Sequence, residues 1–498
     1  MEFLEHLALG LNTAMAPSLL VLCFAGVLLG TLVGVLPGLG PVSTIALLLP
    51  FTFSLSPTAA MIALAGIYYG AQYGGSITAI LVNLPGEASS AVTCIDGHAM
   101  ARAGRAGTAL AVAALGSFLG GTTGTLLLAA LASPLAAVAA SFEAADYAAL
   151  MACGLVAATV LTRGGLVKGI AMVLAGLLLG TIGLDVASGQ PRFTFGIPEL
   201  YDGIGFVPLA IGLFGLAEIM VTLTGHASRD SAVSPVSAGR LRPGEARRAT
   251  AASIRGTLLG SVLGTLPGGG PLLASFASYA LEKNVDSGDP PLGTGAIAGV
   301  AGPESANNAA AQTSFIPLLT LGLPSNGIMA LLLGALIVHG VQPGPDVIVA
   351  EPTLFWGLVA SMWIGNVMLL LLNLPMAGIW ARLLRVPYRL LYPMTIVLAC
   401  TGIYTLSHST FDLSVAALFG VLGFFLRTRG FEPAPLLLGF VLSQPIEEHA
   451  RRALLFSNGD PMTFLTHPIS AVLLAIALLM LISSALPWLQ RARGGFRE

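Results

Sequence analysis

The sequence predicts an all-α polytopic membrane protein. It is expected to hold two inverted-topology repeats, with broken helices and re-entrant hairpins, in roughly a dozen transmembrane segments. Three observations predict this. The 498-residue chain is 55% apolar and only 9% charged, against roughly 25% charged in an ordinary soluble domain. Apolar blocks of helical length recur, among them 11–36, 107–135 and 469–489, where a β-barrel would alternate with a period of two. Two distant stretches also repeat one another: VLLGTLVGVLPGLGP at 27–41 and TLLGSVLGTLPGGGP at 257–271 agree at nine of fifteen positions, with an offset of 230.

Taken in chain order, the N-terminus Met-Glu-Phe-Leu-Glu-His is acidic where a signal peptide is basic, so the first apolar segment is expected to remain as a helix. The first membrane repeat is expected over 1–225, a basic cytoplasmic linker over 226–255, and the second, inverted repeat over 256–460. A last transmembrane helix and a cytoplasmic tail follow over 461–498. Pro37-Gly38-Leu39-Gly40-Pro41 and Pro267-Gly268-Gly269-Gly270-Pro271 interrupt apolar sequence in corresponding places. Proline removes a donor and glycine frees the backbone. Such a break is tolerated at membrane depth only when buried in protein or lining a wet cavity. A second pair follows, Asn83-Leu84-Pro85-Gly86-Glu87 and Gly322-Leu323-Pro324-Ser325-Asn326, within the related runs ITAILVNLP at 77–85 and IPLLTLGLP at 316–324. Corresponding interruptions in two halves point to a transport site, although a single Pro-Gly pair reads equally well as a loop end.

Charge gives the orientation, because short cytoplasmic loops hold the excess of Lys and Arg. Arg102/Arg105 and Arg163/Lys168 mark two basic loops in the first half, whose counterparts at 341–351 and 407–412 carry Asp346, Glu351 and Asp412 instead. Conversely Arg382, Arg385, Arg389, Arg427 and Arg429 face first-half stretches around Glu143, Asp146 and Asp185. The sign swaps at four successive loops, as inversion requires. The N-terminus then lies outside, and all basic residues but Arg192, Lys283, Arg451 and Arg452 lie inside. The amphipathic stretch 378–386 reads as an interfacial arm or a short connector.

The candidate site residues follow from the breaks. Half-helix N-termini offer free N–H groups and a positive dipole end to a carboxylate, which singles out Pro37, Gly38, Gly40, Pro41 and Ser43, with Pro267, Gly268, Gly270 and Pro271. Freed carbonyls with Ser and Asn oxygens suit a sodium ion, which adds Ser76, Asn83, Pro85, Gly86, Ser305, Asn307, Asn308, Pro324, Ser325 and Asn326. Tyr68, Tyr69, Gln72 and Thr78 are further polar residues in an apolar context. Glu304 could take a proton or help hold a cation; a capping box or an interhelical hydrogen bond is the alternative.

Other classes find little support. A net charge of −2 leaves no footprint for nucleic acid. There is no G-x-S-x-G, H-E-x-x-H or G-x-x-x-x-G-K-[ST], and the seven histidines are scattered, so neither an enzyme nor an ATP-driven pump is expected. Cys23, Cys94, Cys153 and Cys400 are isolated and read as small apolar residues.

The run YYGAQYGGSITAILVNLPGEASSAVTCIDGHAMARAGRAGTAL at 68–110 resembles the signature of the large membrane subunit of tripartite tricarboxylate transporters, the TctA type. So do LPGGGPLLASFASYALEK at 266–283, GTGAIAGVAGPESANNAAAQTSFIPLLTLGLPSNGIMALLLGAL at 293–336 and PAPLLLGFVLSQPIEEHARRAL at 433–454. The resemblance implies a multi-pass protein of the bacterial inner membrane with no cofactor. It would work with a small four-helix membrane subunit and a periplasmic solute-binding protein. It would import carboxylates (tricarboxylates, dicarboxylates or related organic acids) by cation symport, with Na⁺ ahead of H⁺ as the coupling ion. An ion channel, or a carrier working without a binding protein, is the alternative. The chain departs from the family at Ser325, where Gly is usual, and at His98, where an aromatic is expected.

Overall fold

Proline opens many of the helices, because it has no N–H to leave unpaired in a first turn and its φ is already helical. Pro17, Pro41, Pro57 and Pro352 each do so. The computed structural model describes residues 2–36, 40–139, 141–160, 165–185, 187–224, 239–266, 270–383 and 388–485. The first half holds α1 (Glu2–Ala14), α2 (Pro17–Val35), α3 (Pro41–Leu48), α4 (Pro57–Val82), α5 (Thr93–Met100), α6 (Ala106–Ala139), α7 (Ala144–Val160) and α8 (Leu166–Gly180). A short hairpin, β1 (Gly183–Leu184) with β2 (Pro191–Arg192), leads to α9 (Phe206–Ala210), which runs on through a π-helical turn into α10 (Ala217–Thr224). The second half holds α11 (Glu245–Thr265), α12 (Gly270–Val285), α13 (Ala298–Thr313), α14 (Phe315–Leu321), α15 (Gly327–Val338), α16 (Val347–Ala350) and α17 (Pro352–Asn373). Then come α18 (Ala377–Leu383), α19 (Tyr388–Ser407), α20 (Thr410–Thr428), α21 (Ala434–Phe456), α22 (Thr463–Thr466) and α23 (Pro468–Ala485).

Among the described residues, five helical stretches are long and apolar enough to cross a membrane: Pro17–Val35, Thr93–Val138, Phe206–Thr224, Pro352–Asn373 and Thr410–Thr428, the second of them kinked at Gly104, φ 76°. Others, such as Pro41–Ser54, Leu166–Gly180 and Gly327–Val338, are apolar but short. The chain is therefore an all-α, multi-pass membrane protein with interrupted helices. Helix α11 begins at Glu245, inside the stretch expected as linker.

The repeated sequence produces repeated packing. A Cβ at Gly26 would sit 2.5 Å from the Ala63 carbonyl oxygen, and Gly30 and Gly34 press in the same way on the carbonyls of Ile67 and Ala71. These glycines lie four apart on one face of α2 and let its backbone touch that of α4, the contact that small-xxx-small patterns allow. In the second half Gly256, Gly260 and Gly264 of α11 meet the carbonyls of Gly302, Ala306 and Ala310 on α13. The glycines are 230 apart and their partners 239 apart, the second offset being that of ITAILVNLP and IPLLTLGLP. Toward the ends of the two halves Gly212, in the turn between α9 and α10, meets Ala416 of α20, while Gly439 of α21 meets Val173 of α8.

Contacts between loops sort the helix ends into two groups. At one end Arg105 pairs with Glu245 at 2.6 Å, Arg427 pairs with Glu218, and Lys168 reaches the Arg429 carbonyl at 2.6 Å. At the other Arg451 pairs with Asp185 at 2.6 Å, Arg192 with Glu447 at 2.8 Å, and the Ser470 N–H with Asp146 at 2.9 Å. This grouping corrects one expectation. Arg255 pairs with Glu282 and Arg248 with Asp286, each at 2.6 Å, so α12 returns alongside α11 as a helical hairpin. Lys283 therefore lies at the Arg-rich end, beside Arg248 and Arg255, and not at the opposite one. Arg192, Arg451 and Arg452 remain as exceptions, and each is neutralised by a neighbouring carboxylate.

The described part of the amphipathic stretch, in α18, is docked on the bundle. Ala377 and Trp380 are buried, and the Trp380 indole donates to the Leu372 carbonyl at 3.0 Å. Cys23 is buried as expected, whereas Cys400 is exposed.

Candidate functional site

The two second breaks fold alike. Helix α4 ends at Asn83 with φ 57°, and α14 ends at Gly322 with φ 67°, the left-handed cap that Gly and Asn tolerate best. Two residues on, Pro85 and Pro324 cannot continue a helix. Glu87 then caps the 3₁₀ turn Ala88–Ala91. Asn326 caps α15, its Oδ1 accepting from the N–H groups of Ile328 and Met329, both at 3.0 Å. Gly86 lies so close to the Gly34 carbonyl that any Cβ would overlap it. The Thr78 hydroxyl lies 3.2 Å from each of the Gly34 and Val35 carbonyls at the end of α2 and serves them as donor. The breaks of the first half are thereby fastened to one another.

These segments converge on Tyr68. Its hydroxyl lies beside Ser314 and Asn326 and within electrostatic reach of Glu87, and a Cβ on Gly270 would lie 3.4 Å from the Asn326 amide nitrogen. Gln72 braces the group: its amide nitrogen donates to Glu87 Oε2 at 2.9 Å, and its oxygen accepts from Ser89 at 2.9 Å. Four buried polar atoms at this meeting point make no hydrogen bond within the described residues: Tyr68 OH, Glu87 Oε1, Ser325 Oγ and Asn326 Nδ2. Buried polar groups are ordinarily paired, so atoms left open together mark this meeting point as the candidate site. The N-termini of α12 and α15 open at Gly270 and Gly327, beside it.

A second polar cluster lies on the inner faces of α4, α5, α6 and α13. Glu304 is 0% exposed. Its carboxyl accepts from Ser76 at 2.5 Å, from Thr93, and from Ser117 at 3.4 Å. The Asn308 amide reaches Ser117 Oγ at 2.8 Å, Asn307 Oδ1 at 2.7 Å and the Glu304 carbonyl at 3.0 Å. Ser76 also lies 3.1 Å from the Gln72 carbonyl, which links the two clusters through one turn of α4.

The structure thus brings Ser76, Glu304, Asn307 and Asn308 together in one cluster, and Gly86, Gly270, Ser325 and Asn326 around the other, with Pro324 buried beside them. Pro37, Gly38, Pro267 and Gly268 lie outside the described residues. Gly40, Pro41 and Pro271 flank the first pair of breaks, as the sequence indicates. Four candidates lie elsewhere or make other contacts. Asn83 is an exposed helix cap, its side chain turned out by the left-handed backbone, and Pro85 is exposed next to it. The Ser43 hydroxyl donates to the Phe214 carbonyl at 2.9 Å in the π-helical turn, and Ser305 bonds back to the Ala301 carbonyl at 2.7 Å where α13 meets α11. Glu87, Thr93 and Ser117 were missed as site residues. The place of Glu87 opposite Asn326 in the paired breaks was a signal for Glu87, whereas Ser117 is one of six hydroxyl residues in α6 and nothing in the sequence singles it out.

A family model described as the tripartite tricarboxylate transporter TctA family matches residues 20–438. A relative from Agrobacterium vitis, "Uncharacterized 52.8 kDa protein in TAR-I ttuC' 3'region", is 56% identical over 493 residues, 99% of this chain and 98% of its own length. Another from the same organism, "Uncharacterized protein in TAR-II ttuC' 3'region", is 55% identical over 234 residues, 47% of this chain and 97% of its own. No solved structure matches. With the match running from the first long apolar helix past both pairs of breaks, the chain belongs to the tripartite tricarboxylate transporter TctA family.

Proposed function

We propose that this protein is the transmembrane subunit of a secondary importer that takes up carboxylates from a periplasmic binding protein across the bacterial inner membrane, beside a small four-helix membrane subunit. The reading rests on one observation: paired breaks from both halves converge on buried polar atoms left without partners. In this account the N-terminus of α12 receives a substrate carboxylate, because N–H groups and the positive end of the helix dipole favour an anion there, while α15, whose first N–H groups are capped by Asn326, adds its dipole. Tyr68, Ser325 and Asn326 orient it. Glu87 stands in the same site with one oxygen open, and a carboxylate substrate beside it calls for a cation between them, so sodium symport suits the site. A buried serine where glycine is usual, Ser325, adds a hydroxyl that can tune the choice of acid.

The two halves are read as inverted repeats. Support comes from the equivalent glycine contacts and from the opposite runs of α4 and α13 between the two groups of loops. The Arg-rich end is assigned to the cytoplasm by the positive-inside rule. The test is uptake into vesicles with the cognate binding protein, applying Na⁺ and pH gradients separately. Saturable, gradient-driven uptake that falls to background in Tyr68→Phe and Asn326→Ala is expected. Flux linear in concentration and needing no binding protein would instead indicate a channel.

A further inference from the structure

Glu304 has no cationic partner among the described residues, although it is wholly buried. An ionised carboxylate so placed is expensive, and it commonly becomes neutral. A metal cation fits poorly, because the carboxyl oxygens are already in contact with the hydroxyls of Ser76 and Thr93. Most of the charged groups around it are engaged elsewhere. On α5, Asp96 accepts from the N–H groups of Gly293, Gly295 and Ala296 and from Tyr279 of α12. On α12, Glu282 is paired with Arg255 of α11, while Arg248 and Glu245 of α11 are paired with Asp286 and Arg105. His98 of α5 contacts the Ile80 carbonyl at 3.0 Å. Tyr73 of α4, Cys94 of α5 and Glu87 lie within electrostatic reach, and α6 and α14 carry no titratable residue.

We infer that Glu304 is a proton-carrying site, distinct from the ligand site at the breaks, and that the Ser76 hydroxyl reverses its hydrogen bond as the carboxyl gains or loses its proton. Two complete arrangements are available. With Glu304 ionised, the O–H groups of Ser76, Thr93 and Ser117 point at its oxygens. When a proton adds to Oε2, the new O–H donates to Ser76 Oγ at the same 2.5 Å separation, and Ser76 turns its own hydrogen to the Gln72 carbonyl, 3.1 Å away. One proton enters, one O–H bond forms, and no group loses its partner. Beside this cluster a cavity of ≈ 10 Å³, lined by Tyr73, Ser76, Ser117 and Asn373 among others, has room for about one water. Asn373 Oδ1 has no hydrogen-bond partner there, so a water bridging it to Ser76 or Ser117 gives the proton a route. Because Gln72 also holds Glu87, the protonation state can be felt at the ligand site.

This inference rests on the transport reading but can be tested apart from it. Infrared difference spectra of the purified full-length protein in lipid should show a protonated carboxyl band that titrates with pH and is absent from Glu304→Gln. Ser76→Ala, which leaves the carboxyl in place, should move that band to higher frequency, because the acid loses its acceptor. In vesicles, whatever uptake a pH gradient drives or enhances in the wild type should fall to background in Glu304→Gln. A band unaffected by pH, or unchanged in either variant, would overturn the inference even if sodium-driven carboxylate uptake were intact. A titrating Glu304 band in a protein that moves no carboxylate would sustain the proton site and sink the transport reading.

Discussion

Replacing Asp96 tests whether the loop before α13 is clasped as the structure shows. Asp96 is 0% exposed, and its Oδ1 accepts from the N–H groups of Gly293 at 2.9 Å, Gly295 at 2.7 Å and Ala296 at 2.8 Å, while Tyr279 donates to Oδ2 at 2.9 Å. Alanine there leaves the buried donors of Gly295 and Ala296 orphaned; Gly293 is exposed and can turn to water. At about 1–3 kcal/mol for each buried group left unpaired, Asp96→Ala should cost roughly 2–6 kcal/mol. Asparagine keeps an oxygen for the backbone and offers its amide to Tyr279, losing mainly the charge assistance, so Asp96→Asn should cost only about 1–2 kcal/mol. Unfolding in detergent, followed by tryptophan fluorescence, gives the order wild type, Asn, Ala. Thr93 lies one turn before Asp96 on α5 and donates to Glu304, so the alanine variant should also lose transport. An alanine variant as stable as the asparagine one would refute the clasp.

Other expectations follow from the same contacts. Gly260→Ala drives a Cβ into the Ala306 carbonyl and should cost about 1–3 kcal/mol by overpacking, with Gly30→Ala behaving alike at Ile67; a neutral effect of both on detergent stability would contradict the paired packing. Arg255→Ala leaves the wholly buried Glu282 carboxylate without its partner and should destabilise by about 3 kcal/mol, an effect that adding Glu282→Gln should partly relieve. Asp185 is held well below the usual carboxylate range, first by the Arg451 guanidinium and then by the Ser188 and Ala187 N–H groups. Its contribution is full above about pH 4 and is lost as pH falls through the lowered folded value. Arg451→Ala should therefore speed proteolysis of 183–192 at neutral pH, with the difference from wild type vanishing in strong acid. Asn307→Ala and Asn308→Ala should both lower uptake and blur its cation dependence; intact transport in both would remove the Glu304 cluster from the mechanism.

The repeat was legible because its glycines cannot vary freely. Gly26, Gly30 and Gly34, like Gly256, Gly260 and Gly264, touch a neighbouring backbone, so the packing demands the residue that carries the sequence match. Glu304 with Asn307 and Asn308 was legible for a related reason, as polar groups in apolar surroundings. What was hidden depends on distant partners. Whether α12 crosses the membrane or turns back is decided by Arg255 meeting Glu282, twenty-seven positions away, and hydropathy does not register that pairing. The engagement of Glu87 depends on Gln72 and Tyr68 from a preceding helix. Asn83 shows the opposite failure: a left-handed cap and a ligand favour the same residue type, and only the backbone distinguishes them.

The central claim is that the converging breaks form the binding site. Substrate protection of cysteines tests it most directly, in protein whose Cys23, Cys94, Cys153 and Cys400 have been replaced. A cysteine introduced as Asn326→Cys should react with a thiol reagent and be protected by a carboxylate substrate with its coupling cation. One introduced as Val349→Cys, at an exposed position in the short helix α16, should react equally with and without them. Protection confined to position 326 is the result the account requires; reactivity there that substrate leaves unchanged would contradict it.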